Sequence, residues 1–144
     1  VTYLNVSKSK KALIYHQQYQ YTYFITLTTN YKEHSTVEIF KKLRNYLYKH
    51  DINSHVFSVK EYTEKIHGQH FHILYFTDKK LDYEELHEKM PSYADINIQL
   101  VKKTAQDIQN VLRYMNKNKK RHKQKSKQIQ NETKFKISIF DFKI

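Results

Sequence analysis

The chain has 144 residues, with 26 Lys and Arg against 14 acids, a formal net charge of +12, 13 Tyr, 8 Phe, one Gly, one Pro and no Cys. That length holds one domain (1–144) with a real core and is too short for two, and the lack of cysteine excludes a disulfide framework or a Cys-based zinc site. No uncharged apolar run is long enough to span a membrane, and the opening VTYLNVSKSKK lacks the apolar middle of a signal peptide, so the expected compartment is the cytoplasm, or a host nucleus, with no membrane partner.

In chain order, a basic lead (1–20) precedes YTYFITLTT (21–29), whose β-branched and aromatic residues predict a strand. In 35–51, Val37, Phe40, Leu43, Leu47 and Tyr48 follow helical spacing, with Ser35 and Glu38 forming a capping box. SHVFSVKEY (54–62) alternates as a strand, TEKIHG turns at the only glycine, and QHFHILYF (69–76) returns, which predicts an antiparallel hairpin. LDYEELHEKM (81–90) predicts a short helix stopped by Pro91. ADINIQLVK (94–102) alternates again, and TAQDIQNVLRYMNKN (104–118) predicts a helix capped by Thr104 with Asp107 three residues on. Residues 117–127 carry seven Lys and Arg and no apolar side chain, so 117–134 reads as a basic, flexible arm. FKISIFDF (135–142) predicts a late strand. The non-alternating order with a hairpin predicts an α+β fold: an antiparallel sheet with helices packed on one face and the other face open for a ligand.

The excess of cations attracts polyanions, and the abundant aromatics offer stacking surfaces for unpaired bases. A Lys-, Asn- and Tyr-rich composition inherited from an AT-rich genome is the plainer explanation. The histidines carry more information. His70, His72, Leu74 and Phe76 share one strand face, whereas Phe71, Ile73 and Tyr75 share the other and suit the helix-packed side. Two imidazoles at i and i+2 can converge on one cation, which then needs a further ligand. Glu61, near the end of the partner strand that faces His70, is the candidate, with Glu64 and His67 as rivals. An HxH pair alone is common in ordinary strands, and the other histidines (His16, His34, His50, His55, His87 and His122) read as solvated surface.

On the last helix, Ile108, Val111, Leu112 and Met115 cluster on one face at about 100° per residue. Tyr114 and Lys117 fall off it and neighbour one another. A phenol kept out of the core beside an ammonium suits nucleophilic work, since a nearby cation favours the phenolate. A surface tyrosine on a basic helix is the plainer reading when this helix is taken alone.

Taken together, FITLTT (24–29), GQHFHILYF (68–76) and YMNK (114–117) resemble, in order, the three motifs of the HUH endonuclease superfamily, most closely its replication-initiator (Rep) nucleases of rolling-circle plasmids and single-stranded DNA viruses. The resemblance spans residues 24–117. It implies a ferredoxin- or RRM-like antiparallel sheet, an exposed metal site, and a helix that presents a tyrosine to it. By resemblance His70 and His72 are metal ligands with Glu61 as the acidic third, Tyr114 is the nucleophile and Lys117 its electrostatic partner. Position 118 is Asn, so the two-tyrosine form of the motif is absent. The implied activity is metal-dependent (Mg²⁺ or Mn²⁺) nicking and joining of single-stranded DNA, or of an origin hairpin, through a 5′-phosphotyrosine. Thr26, Thr28, Arg113, Lys119, Lys120 and Arg121 are the expected DNA contacts, and any helicase must be a separate partner because the chain has no phosphate-binding Gly-rich loop. Rival readings are a single-tyrosine transposase, a water-using metal phosphodiesterase, and a non-catalytic RRM-like nucleic-acid binder.

Overall fold

A computed structural model describes residues 6–29, 36–63 and 68–124, with backbone alone at 6, 29, 36, 61–63, 68–69 and 117–124. Eight elements follow one another: α1 (Val6–Gln18), β1 (Tyr21–Thr29), α2 (Thr36–His50), β2 (His55–Thr63), β3 (Gly68–Thr77), α3 (Tyr83–Lys89), β4 (Ala94–Leu100) and α4 (Ala105–Gln124). The strands form one sheet in the order β2-β3-β1-β4, and every neighbouring pair is antiparallel. From β1 to β4 the chain is therefore a βαββαβ unit of ferredoxin-like topology, with α1 before it and α4 after it. The predicted late strand (135–142), Ser35 of the predicted capping box and the C-terminal part of the predicted arm lie outside the described residues.

Strand alternation sorts the side chains into two cores. The odd-numbered residues of β1, Tyr23, Ile25 and Leu27, join Phe71, Ile73 and Tyr75 of β3 under Ile39, Phe40, Leu43 and Leu47 of α2 and Leu86 of α3. Two buried phenols finish this side: Tyr75 donates to the Leu47 carbonyl at 2.9 Å and Tyr23 accepts from the Leu81 amide at 3.1 Å. Buried Asp51 ties the α2–β2 turn to the end of β3 by accepting from the Thr77 hydroxyl (2.7 Å) and the Asn53 amide (3.0 Å).

The opposite face departs from the expectation of an open surface. Phe24, Val59, Leu74 and Phe76 of the sheet are buried there with Ala12 of α1 and Ile108, Val111, Leu112 and Met115 of α4. Helices thus cover both faces. α4 and α1 together cover this one, and α1 is the element that the basic lead does not announce: its buried stripe consists of Ala12 and His16, flanked by half-buried Leu13 and Tyr15, not of large aliphatic residues. α1 and α4 also pack on one another. The basic segment, for its part, begins as helix: α4 continues through residues 117–124.

Candidate functional site

β1 and β3 are paired so that Thr26 stands opposite His72 and Thr28 opposite His70. Directly opposed residues of an antiparallel pair share a face. Each threonine hydroxyl accordingly meets its imidazole, Thr28 Oγ1 at 2.8 Å from His70 Nδ1 and Thr26 Oγ1 at 3.3 Å from His72 Nδ1. On the same face, Phe24 lies two residues before Thr26 and stacks its ring on His72, with centroids 5.5 Å apart and planes 9° from parallel. Thr26 and Thr28, expected as DNA contacts, thus orient the histidines. Thr26 is buried and Thr28 half-buried.

α4 brings the tyrosine. Its first turn is closed by Thr104, whose hydroxyl accepts from the Asp107 amide at 3.1 Å and donates to the Asp107 carboxylate, as the sequence predicts. Tyr114 does not stand off the packed face. It is 3% exposed and meets His72 edge-on, with ring centroids 5.2 Å apart and planes at 86°, and Phe24 at 6.2 Å and 85°. The reason is the width of the buried stripe. A helix wedged between a sheet and a second helix buries more than the four-residue face that periodicity picks out, and Tyr114 lies only about 60° round the helix from Val111.

His70 and His72 are 4% and 0% exposed, so the pair is buried and not an exposed metal site, with His72 against Tyr114 of α4. Strand register sets Glu61 opposite His70. The side chains of Glu61 and Lys117, with those of Lys119, Lys120 and Arg121 along α4, lie outside the described residues, as do Glu64 and His67. Arg113 is exposed. Among the described residues no three His, Asp or Glu side chains form a group able to hold a metal ion. The two histidines still fit a cation in one respect. With Nδ1 of each turned to a hydroxyl, Nε2 is the nitrogen that would face a cation, and metal-binding histidines characteristically give their other nitrogen to such a partner.

A third histidine belongs to this face. His16 is 2% exposed, with Nδ1 2.7 Å from Thr22 Oγ1 and Nε2 2.8 Å from the Lys102 carbonyl. A carbonyl only accepts, so Nε2 carries the proton and Nδ1 takes the Thr22 hydrogen in the neutral ring. Burial, helped by the Lys103 ammonium, pushes its pKa below the ordinary histidine value. Lys103 donates to the carbonyls of His16 and Tyr19 at the end of α1. Thr22, Thr26 and Thr28 thus form a row along β1, each bonded to an imidazole. His50 and His55 are half-buried as well: His50 Nδ1 lies 2.7 Å from the Tyr75 hydroxyl and His55 stacks on Tyr15 at 4.1 Å. Of the histidines read as surface, only His87 is exposed among the described side chains.

The pattern of a viral protein family described as "Virus, 117-like" matches residues 18–118, which include every residue of this cluster except His16. The chain belongs to that family. This 117-like chain is 59% identical, over 77% of its own length and 95% of the relative's, to "Uncharacterized protein 117" of Sulfolobus islandicus rod-shaped virus 1. It also resembles the crystal structure of "the hypothetical protein ORF119" from the same virus, with a TM-score of 0.66 at 57% identity, covering 76% of this chain and 92% of that one. No helix among the described residues of the 117-like chain is long and apolar enough to cross a membrane.

Proposed function

We propose that the chain nicks and rejoins single-stranded DNA through Tyr114, as a replication initiator of the HUH type acting in the cytoplasm on a viral origin. The observation that carries this reading is the 5.2 Å edge-on contact between the rings of Tyr114 and His72, on the sheet face that also holds His70. Three separate sequence motifs thereby meet in one place: the Thr strand, the histidine pair and the helical tyrosine.

In the proposed reaction the Tyr114 phenolate oxygen attacks phosphorus in line with the departing 3′-oxygen. The phenolic proton is lost to solvent, the P–O3′ bond breaks, and the 3′-oxygen takes up a proton. The 5′-phosphate stays on the tyrosine, and attack by a 3′-OH on that ester rejoins the strand with no input of ATP. Thr26 and Thr28 hold the imidazoles in place through Nδ1. A divalent cation held by His70, His72 and Glu61, Mg²⁺ or Mn²⁺ by the chemistry of two imidazoles and a carboxylate, would supply Lewis-acid polarisation of the scissile phosphate. Lys117, one turn beyond Tyr114 on α4, is assigned to stabilising the phenolate. Because Tyr114 and the histidines are buried, a strand reaches them only where α4 parts from the sheet.

Helices on both sheet faces weigh against a non-catalytic binder that stacks bases on an open sheet, and the viral relatives weigh toward replication over transposition. The test is incubation with single-stranded oligonucleotides, with and without EDTA, followed by denaturing electrophoresis and mass spectrometry of the DNA-linked peptide. The expected result is an EDTA-sensitive covalent adduct on Tyr114. Cleavage without an adduct would instead identify a water-using phosphodiesterase, and binding without cleavage a passive binder.

A further inference from the structure

On the sheet face away from the histidines, α2 and α3 leave a cleft of about 370 Å³ between them. That volume lies at the size of a small-ligand site. Its walls are not those of an ordinary helix seam. Lys42 and Lys49 of α2 stand seven residues apart, about 10 Å along the helix axis, with Tyr46 between them and His50 just beyond, while Lys89 and Glu85 line the cleft from α3. The rings of Tyr46 and His50 lie 6.5 Å apart and within 17° of parallel. The imidazole is fixed from behind, with Nδ1 at the Tyr75 hydroxyl and Nε2 3.1 Å from the Lys80 carbonyl.

We infer that this cleft binds one nucleotide of a single-stranded nucleic acid. The lysines pair with the phosphates on either side of the nucleoside. The base lies on the half-buried Tyr46 ring, and Glu85 accepts a hydrogen bond from a base N–H or a sugar hydroxyl. The carboxylate separates this site from a simple anion patch: beside three ammonium groups it repels a bare phosphate but rewards a ligand that also brings a donor. Aromatic stacking tolerates any base, so the site grips a strand without selecting sequence. The inference does not depend on cleavage chemistry, because the sheet lies between this cleft and Tyr114.

The full chain, labelled with ¹⁵N, is titrated with a short oligothymidylate, the matching RNA, thymidine monophosphate and inorganic phosphate. Amide shifts at residues 42–50 and 85–90 are expected with both oligonucleotides, more weakly with the mononucleotide, and not with phosphate at the same concentration. The triple variant K42Q/K49Q/K89Q touches only exposed side chains. It should lose these shifts, and the slope of log K against log salt should fall by about 2, three contacts at about 0.7 each for a single strand. Tyr46→Leu keeps the apolar floor and should weaken oligonucleotide binding roughly ten-fold, the scale of one lost stacking contact, while a circular-dichroism melt confirms the fold. The inference fails if the cleft amides do not move at saturating oligonucleotide, if the salt slope is unchanged in the triple variant, or if inorganic phosphate produces the same shifts at equal concentration.

Discussion

Thr28 is the residue on which the proposed chemistry can be separated from the fold. Thr28→Val keeps the shape of the side chain and removes the hydroxyl 2.8 Å from His70 Nδ1. The lost hydrogen bond should cost only about 0.5–1.5 kcal/mol of stability. Adduct formation should fall by roughly 10- to 100-fold, the usual effect of removing a partner that orients a metal-binding histidine. Thr28→Ser should restore the rate, whereas a Val variant as fast as the parent would reduce the pairing to packing. Tyr114→Phe keeps the ring contacts with His72 and Phe24 and should abolish the adduct outright with a melting temperature near that of the parent. An adduct persisting on another residue would overturn the assignment. These roles were unevenly legible in sequence. The same-face pairing of His70 and His72 follows from alternation alone, and Phe71, Ile73 and Tyr75 fall on the opposite core as alternation requires. The Thr–His bonds join positions 42 and 46 residues apart and depend on strand register, which no local pattern specifies. The burial of Tyr114 was hidden because helical periodicity marks the centre of an apolar stripe but not its width.

At the scale of elements, β1, α2, the β2–β3 hairpin, α3 and β4 were readable to within a few residues because each has a marked period or a turn residue at its end. α1 was not, because it meets the sheet through Ala12, through Tyr15 against the rings of His55 and Phe76, and through His16, whose partners are Thr22 and a backbone carbonyl 86 residues away. A carbonyl has no sequence signature. This docking has a pH signature. His16 has a lowered pKa in the folded chain, from burial first and the Lys103 ammonium second. The unfolded chain therefore binds a proton that the folded one refuses, and stability should drop as pH falls below about 6.5, the value of a free histidine. Above that pH both states are neutral at this site and the term vanishes. His16→Gln is expected to lower stability at neutral pH, since it disturbs a buried pair of hydrogen bonds, but to flatten the decline between neutral and mildly acidic pH. An equally steep decline in urea-unfolding free energy with and without His16 would place the acid sensitivity elsewhere.

For the molecule as a whole, the notable feature is a sheet with a separate core on each side. One, under α2 and α3, is aliphatic and aromatic, with the phenols of Tyr23 and Tyr75 tied to backbone groups. The other, under α1 and α4, mixes aliphatic side chains with the imidazoles, hydroxyls and phenol of the candidate site. The backbone of the sheet stands between them as a wall, and among the described residues the buried side chains of α2 and α3 fall in one cluster and those of α1 and α4 in the other. The wall insulates, and energetic independence follows. Leu43→Ala on one side should cost about 2–5 kcal/mol and Ile108→Val on the other about 0.5–1.5 kcal/mol. The double variant should lose their sum to within about 0.3–0.5 kcal/mol in denaturant unfolding, and a larger coupling would show that strain crosses the strands. Such a partition lets one half of the chain act as ballast. Stabilising substitutions around α2 and α3 can offset whatever the other side surrenders by keeping polar groups buried, so that the α1–α4 side is free to vary its chemistry without the domain losing its fold.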